Sequence, residues 1–219
     1  MKKYLEILKK CPLFFGIEEE KLLKILTCLG ARAESFDKKY TIFAEGSSTK
    51  YIGILLSGAA QIIQVDYYGN RSIIDEVYSS DMFCEDFACA EVSCIPVSVV
   101  ATEPCEVMFI DARHILHTCA HNCAFHQQMI FNLMKDLAQK AVELHEKTEI
   151  TSKRSTREKL MTYLTIESKR QNKSSFDIPF DRQELADYLQ VDRSGLSAEI
   201  SKLKKEGILD SSKTHFVLL

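Results

Sequence analysis

The stretch that most constrains the fold runs from Phe180 to Leu209 and has the pattern of two short amphipathic helices joined by a tight turn. Glu184 follows Asp181 at the spacing of a capping box, which predicts a helix that begins after Asp181. Asp192 can accept from the free amides of a second helix, so the turn between the two helices is predicted just before it. The sequence therefore predicts a helix-turn-helix motif.

The predicted second helix has one apolar face and one face of small polar and basic side chains. Its apolar face carries Leu196, Ile200 and Leu203. Its other face carries Ser194, Ser197, Ala198, Ser201 and Lys205. Short polar and basic side chains suit close approach to base edges and phosphates in a DNA major groove. An ordinary helical hairpin with a solvated face is the alternative interpretation.

The segment after this motif has the pattern of a β-hairpin. Ile208 and Leu209 are apolar, residues 210–214 form a polar turn, and residues 215–219 are apolar and partly β-branched. A hairpin in this place is typical of the wing of a winged helix-turn-helix, which favours the DNA-binding interpretation.

The charge of the chain is unevenly distributed. The net charge of the 219 residues is −3. Residues 153–219, however, contain 13 lysines and arginines against 10 acidic residues, so this part is positive. Attraction to phosphate requires a positive balance in the part that carries the motif.

The chain before the motif changes from helical to strand periodicity and back to helical periodicity. Residues 1–30 have the pattern of short helices. Between residues 31 and 111, short β-rich runs alternate with turn signals, which predicts one antiparallel β-barrel of the cupin-like jelly-roll type. The predicted strands are Tyr40–Phe43, Tyr51–Leu56, Ala60–Val65, Ser72–Val77, Val97–Ala101 and Glu106–Ile110.

A long helix is predicted from about Ile115 to Thr151, because this run contains neither glycine nor proline. Two apolar stripes lie side by side along it, so the helix is expected to pack on its own barrel and on the same helix of a second subunit. The residues predicted at the dimer interface are Phe125, Met129, Leu133, Leu137, Ala141 and Leu144. The second stripe contains Ile130, Met134, Ala138 and Val142.

This order of elements resembles the Crp/Fnr superfamily of bacterial transcription regulators. The most specific parts are Arg182–Ala186 leading to Arg193–Ser194, and Asp81–Glu85 inside the barrel. The resemblance implies an α+β chain with a sensing barrel and flanking helices at residues 1–114, a dimerisation helix at 115–152, and a winged helix-turn-helix at 153–219. A hinge is expected at Lys153–Arg157.

The resemblance also implies the DNA-contacting positions. Arg182 matches the phosphate-contacting residue at the start of the first motif helix, and Lys213 lies in the wing. The full predicted set is Arg182, Gln183, Arg193, Ser194, Ser197, Ala198, Ser201, Lys202 and Lys213. The best-known relatives have Glu at the position of Ser194 and Arg at that of Ala198, so their target sequence is not transferable. Glu199 also stands where an apolar residue is common.

The corresponding effector pocket departs further from the cyclic-nucleotide-binding relatives. Those relatives have a Phe-Gly-Glu run and then an Arg-Ser pair that binds the cyclic phosphate. Here the run is Phe83, Cys84 and Glu85, and the pair falls on Ile95 and Pro96. We therefore expect the barrel not to bind a cyclic nucleotide.

The eight cysteines are interpreted as thiols of a cytoplasmic protein, since no membrane span or signal peptide is expected. No cofactor is predicted. An iron–sulfur cluster at Cys84, Cys89, Cys94 and Cys105, a thiol redox switch, and a metal site near His117, Cys119, His121 and Cys123 remain open alternatives.

Enzyme function is not expected, because no catalytic motif stands out and no histidine lies on a predicted strand. The sequence predicts a homodimeric regulator that binds double-stranded DNA and, by resemblance, RNA polymerase. The alternative function is a redox or small-molecule sensor that acts through protein contacts.

Overall fold

A computed structural model describes residues 2–69, 71–116 and 124–219, which form two compact units, Met1–Gln139 and Lys140–Leu219. The boundary between the units lies within the longest helix. The three-part division predicted from the sequence is not tested by this boundary and stays a prediction.

The first unit combines short helices with eight strands in the described residues. Its helices are α1 (Leu5–Leu8), α2 (Glu19–Cys28), α3 (Glu85–Cys89), α4 (Ala112–Leu116) and the first half of α5 (Ala124–Thr151). Its strands are β1 (Arg32–Phe36), β2 (Thr41–Phe43), β3 (Tyr51–Ser57), β4 (Ala60–Val65), β5 (Arg71–Val77), β6 (Met82–Phe83), β7 (Ser98–Ala101) and β8 (Cys105–Asp111).

The strands form two four-stranded antiparallel sheets, with strand orders β1-β8-β3-β6 and β2-β7-β4-β5. In the first sheet Gly53 of β3 lies opposite Phe109 of β8 and Phe83 of β6. In the second sheet Ala60 of β4 lies opposite Val77 of β5 and Ala101 of β7. This arrangement confirms the predicted jelly roll.

Aromatic rings fill the space between the two sheets. The ring of Phe43 meets those of Phe83 and Phe109 edge-on, with centroid distances of 5.9 and 5.8 Å. Phe36 and Tyr51 contact Phe109 in the same way. A Cβ atom at Gly53 would lie 2.3 Å from the Phe83 ring, so the position of this ring requires glycine in β3.

A second core lies between the helices and the first sheet. Met129 and Leu133 of α5 are buried there with Leu22 and Leu26 of α2. The buried Asn132 side chain donates to the carbonyl oxygens of residues 13 and 15, which ties α5 to the N-terminal segment.

The second unit begins in α5 and continues through α6 (Thr156–Gln171), α7 (Arg182–Leu189) and α8 (Arg193–Lys205). Its three strands, β9 (Ser175–Asp177), β10 (Leu209–Ser212) and β11 (His215–Leu218), form an antiparallel sheet in the order β10-β11-β9. The helices and Phe216 of β11 share one apolar core. The predicted helix-turn-helix and wing are therefore confirmed.

The remaining predicted elements mostly agree with the structure. All six predicted strands are present, and the long helix ends at Thr151 as predicted. The described residues add β1, β6 and α3, which the sequence did not predict. None of the helices in the described ranges is long and apolar enough to span a bilayer.

A buried carboxylate with two half-exposed cations lies at the end of β8. The Asp111 carboxylate accepts from the guanidinium of Arg113 at 3.1 and 3.2 Å, and Lys50 lies 3.2 Å away. The Arg113 hydrogen bonds, assisted by Lys50, outweigh burial and lower the pKa of Asp111 to about 2. A pKa below the unfolded value means that ionised Asp111 stabilises the folded state.

We expect Asp111→Asn to lower the free energy of unfolding by about 1–2 kcal/mol near neutral pH, after allowance for the half-exposed cations. The difference from wild type should hold above the unfolded pKa near 3.8 and shrink as the pH falls towards 2. Urea titrations from pH 7 to pH 3 measure it, with the exposed Asp37→Asn as control. A difference that does not change with pH would contradict this account.

Candidate nucleic-acid interface

The first helix of the motif begins with the predicted capping box. The Asp181 carboxylate accepts from the backbone amides of Gln183 at 2.7 Å and Glu184 at 2.9 Å. The Glu184 carboxylate in turn accepts from the Asp181 amide at 2.7 Å. These bonds satisfy amides that a helix N-terminus leaves free, so they fix where α7 starts.

The second helix also begins with its predicted cap. Asp192 Oδ2 accepts from the Gly195 amide at 2.8 Å and from the Ser194 hydroxyl at 2.5 Å. The Ser194 and Gly195 hydrogen bonds lower the pKa of Asp192, in that order of size. Gln190, with a φ of 52°, ends α7 in the left-handed region and turns the chain towards α8.

Burial along α8 separates its two faces as predicted. Leu196, Ile200 and Leu203 are buried in the core of the second unit. The predicted contact residues on this helix are all exposed: Arg193, Ser194, Ser197, Ala198, Ser201 and Lys202. A Cβ atom at Gly195 would meet only Asp192 Oδ2, at 3.7 Å, so the packing of the chain does not require glycine there.

Three cations from separate elements line one cavity of about 420 Å³, which we call the basic pocket. They are Arg182 at the start of α7, Arg193 at the start of α8, and Lys213 in the turn between β10 and β11. Asp181, Gln183 and Thr214 complete its lining. The sequence predicted the cations but not Asp181 or Thr214 as lining residues.

Arg182 is the most constrained cation of the basic pocket. Its guanidinium carbon lies 5.6 Å from the centre of the Phe216 ring. Among the described residues, no acceptor hydrogen-bonds its buried Nη1. Burial lowers the pKa of Arg182, which reflects the loss of hydration around the cation. A buried cationic donor without an acceptor is stabilised when an anionic acceptor binds to it.

The end of α8 is attached to the wing. Lys204 donates to the Ser211 carbonyl oxygen at 2.8 Å and pairs with Asp210 at 2.8 Å. This bond sets the position of the hairpin that carries Lys213. Gly207, with a φ of 70°, follows the helix in the left-handed conformation.

The sequence analysis missed a contact between α6 and α8. Arg157, predicted in the hinge, pairs with Glu199 of α8 and with Glu206, the residue that ends this helix. Opposite charges more than 40 residues apart give no local pattern, so only the fold reveals this contact. It also explains an acidic residue at position 199, where an apolar one was expected.

The predicted effector-pocket residues lie in different surroundings. Phe83 belongs to the aromatic core, and Cys84 and Ile95 are buried, whereas Pro96 is exposed. Glu85 is buried at the start of α3. Ile95 is also fixed through its backbone, which donates to the residue 47 carbonyl at 2.8 Å and accepts from the residue 46 amide at 2.9 Å.

Cys84 has a φ of 59°, in the left-handed region that favours glycine. The backbone at this position therefore has the conformation expected of the glycine that relatives place there, although the side chain differs. The interior beside it is apolar and aromatic, and no lysine or arginine occurs between Ser72 and Ala112.

The cysteines considered as ligands are not grouped. Burial raises the pKa of Cys89 to about 11 and also raises that of Cys105, whereas Cys94 is exposed. Within the described ranges, no three histidine, cysteine or acidic side chains are close enough to hold a metal. His117, Cys119, His121 and Cys123 lie outside the described residues.

The structure corrects part of the predicted dimer interface. Met129 is 0% exposed and Leu133 is 2% exposed, because both pack in the core of their own chain. Phe125 and Leu137 are partly buried against the same core, whereas Ala141 and Leu144 are exposed. Met129 and Leu133 are therefore unavailable to a second subunit. Phe131 and Met134, at 57% and 60% exposure, lie on the solvent side of α5.

Comparisons with known proteins agree with this architecture. Residues 33–122 match the model of the cyclic nucleotide-binding domain, and residues 158–219 match that of the Crp-like helix-turn-helix domain. A search of curated protein sequences found no significant match.

Several solved structures share the fold over nearly the whole chain. The catabolite activator protein of Thermus thermophilus is 18% identical, with a TM-score of 0.54 over 95% of this chain and 93% of that one. DNR from Pseudomonas aeruginosa is 18% identical, with a TM-score of 0.51 over 100% and 95%. The c-di-GMP-responsive regulator CLP of Xanthomonas campestris is 15% identical, with a TM-score of 0.55 over 92% and 99%.

The two family models together match more than half of the chain, and their order along it is that of the fold. An antiparallel jelly roll, a long helix and a winged helix-turn-helix thus occur in one chain. The chain belongs to the Crp/Fnr superfamily of transcription regulators.

Proposed function

We propose that this chain acts in the cytoplasm as a homodimeric, sequence-specific DNA-binding regulator whose jelly roll responds to an effector other than a cyclic nucleotide. RNA polymerase is the further partner that the family resemblance implies. The basic pocket is the observation that carries the DNA-binding part, because its three cations come from both motif helices and the wing.

A phosphate of the DNA backbone fits Arg182 and Lys213 of the basic pocket in charge and in hydrogen bonding, whereas Arg193 is proposed to contact a base. Arg182 offers a desolvated donor, because its buried Nη1 hydrogen-bonds no acceptor among the described residues. Phosphate contacts fix the register of a protein on the duplex. With α7 and the wing held in this way, the exposed face of α8 would lie in the major groove and read the sequence.

The charge of the effector is limited by the side chains of the predicted pocket. A cyclic nucleotide brings a phosphate anion into the protein, and its desolvation costs several kcal/mol unless fixed donors replace water. Relatives that bind such ligands use an arginine, whereas this chain has the buried Ile95 at that position. Arg113, the first cation in the sequence after Ile95, is paired with Asp111. An apolar or neutral effector suits the aromatic interior.

The exposed apolar side of α5 supports the proposed dimer. Phe131, Met134, Ala138 and Val142 follow one another at helical spacing and are all exposed. A two-fold partner that packs along this side would bury them and would present two helix-turn-helix motifs to paired half-sites. The proposed interface therefore moves from Met129 and Leu133 to this exposed stripe.

For DNA binding, we expect Arg182→Ala and Lys213→Ala to weaken binding to duplexes of every sequence by the same factor. Each variant should also reduce the slope of log K for binding against log salt concentration by about 0.9 per lost phosphate contact. Arg193→Ala should instead relax the preference at one base pair per half-site, at a cost of about 1–3 kcal/mol if it binds guanine. Selection from randomised duplexes and salt titrations measure both effects.

The control for these variants is Lys24→Ala, which removes an exposed positive charge from α2. It should leave both the affinity and the salt dependence unchanged. Absence of salt-dependent retention of the wild-type protein on any duplex would favour a sensor that acts through protein contacts.

For the dimer, Met134→Asp should give folded monomers, because association would bury an unpaired carboxylate. Leu133→Asp should instead destabilise the first unit, because its side chain is already buried in its own chain. Sedimentation and circular dichroism distinguish these outcomes. A dimer of unchanged stability for Met134→Asp would place the interface elsewhere.

For the effector, calorimetry should detect no binding of cyclic AMP or cyclic GMP at micromolar concentrations. Binding of duplex DNA by the same preparation is the control for active protein. Micromolar affinity for either nucleotide would contradict the charge argument and would restore nucleotide sensing.

A further inference from the structure

The recognition helix α8 carries a carboxylate at Glu199 and is followed by a second at its C-cap residue, Glu206, although its outer face is proposed to meet phosphates. They lie seven residues apart, which places them on the same side of the helix and about 10 Å apart along its axis. Glu199 is 20% exposed in its side chain, and its Oε1 is buried. A carboxylate in this position both repels phosphate and costs free energy of desolvation.

One guanidinium reaches both carboxylates. Arg157 Nη2 lies 2.6 Å from Glu206 Oε2, and Nη1 lies 3.7 Å from Glu199 Oε1. The planar fork of arginine can engage two acceptors at once, which a lysine ammonium does with less geometric definition. Glu206 thus accepts a hydrogen bond from Arg157, whereas Glu199 is in charge contact with it, since Glu199 Oε1 has no hydrogen-bond partner among the described residues.

The base from which Arg157 extends is itself fixed. Arg157 is the second residue of α6, and α6 starts with a capping box in which the Ser155 hydroxyl accepts from the Glu158 amide at 3.2 Å. Leu160 and Leu164 anchor the same helix in the core that also buries Leu196 and Leu203 of α8. Apolar packing holds the helices together but tolerates small rotations, whereas the bridge to two points along α8 restrains its rotation.

We propose that Arg157 is a positioning residue for the recognition helix, which it orients through Glu199 and Glu206 while it neutralises their charge. This inference rests on the proposed DNA-binding function. Two simpler accounts compete with it. Arg157 could contact a phosphate directly, or the bridge could be a surface ion pair without effect on DNA binding.

A double-mutant cycle separates these three accounts. Duplex affinity and its salt dependence are measured for wild type, Arg157→Ala, the paired variant Glu199→Gln with Glu206→Gln, and the combination of all three. We expect Arg157→Ala alone to weaken binding up to about fivefold, with an unchanged salt slope. In the paired glutamine background the same substitution should change affinity less than twofold, because the carboxylates on which it acts are gone.

Two results would overturn the proposal. An equal loss in both backgrounds, with a salt slope reduced by about 0.9, assigns Arg157 to a phosphate. Unchanged affinity in both backgrounds makes the bridge an ordinary ion pair. Arg154→Ala, which removes an exposed charge three residues earlier, is the matched control. Its effect on the affinity should be the same in the wild-type and the paired glutamine backgrounds.

A measurement on the free protein keeps the test independent of DNA binding. Amide hydrogen exchange within residues 193–205 should be faster in Arg157→Ala than in wild type, with exchange in the core of α6 unchanged. Arg157→Lys should restore the slow exchange of the wild type only in part. Equal exchange in wild type and Arg157→Ala would sink the positioning role, whereas failure of the wild-type protein to bind any duplex would contradict only the proposed function.

Discussion

The shared burial of α7, α8 and the wing in one apolar core is the constraint on which the DNA-binding surface depends. Leu185, Leu196 and Phe216 come from these three elements and are fully buried. Each such side chain contributes about 1.5–3 kcal/mol when it leaves water. Because α8 must bury Leu196, Ile200 and Leu203 on one side, its opposite side can only carry residues that tolerate solvent, and the predicted contact residues occupy that side.

Much of this unit could be predicted because its signals are local. The capping box at Asp181, the cap at Asp192 and the helical spacing of the apolar residues lie within a few residues of one another. The contact of Arg157 with Glu199 could not be predicted, since it depends on how two helices pack. Local sequence thus predicted the two helices and their caps but not the contact of Arg157 with Glu199.

The first unit shows why the remaining elements escaped prediction. Strand β1 is exposed at four of its five residues, so it lacks the alternation that marks a half-buried strand. Strand β6 has only two residues, and α3 begins after Cys84 in a conformation that cysteine does not signal. On α5, periodicity identified which residues share a face but not whether its own chain or a second one covers them. Met129 and Leu133, predicted to face a second subunit, are buried in the core of their own chain.

In the predicted effector pocket, the backbone keeps the conformation expected from the relatives, whereas the side chains differ from theirs. The left-handed conformation at Cys84 is kept without glycine, and β3 keeps Gly53 against the Phe83 ring. The cation expected at Ile95 is replaced by a buried aliphatic side chain. The strands and turns of the fold depend on packing, whereas the identity of the bound ligand depends on a few side chains that can change. Regulators of different effectors can therefore share one fold.

The cap of α8 has a consequence for the bases that the helix can contact. The single hydroxyl hydrogen of Ser194 is donated to Asp192 Oδ2, so only its lone pairs face outward while this bond is kept. In the major groove, the hydrogen-bond donors that match a lone pair are the amino groups of adenine and cytosine. The same carboxylate that starts the recognition helix therefore also sets the polarity of the hydroxyl next to it, and with it the kind of base edge that the hydroxyl complements.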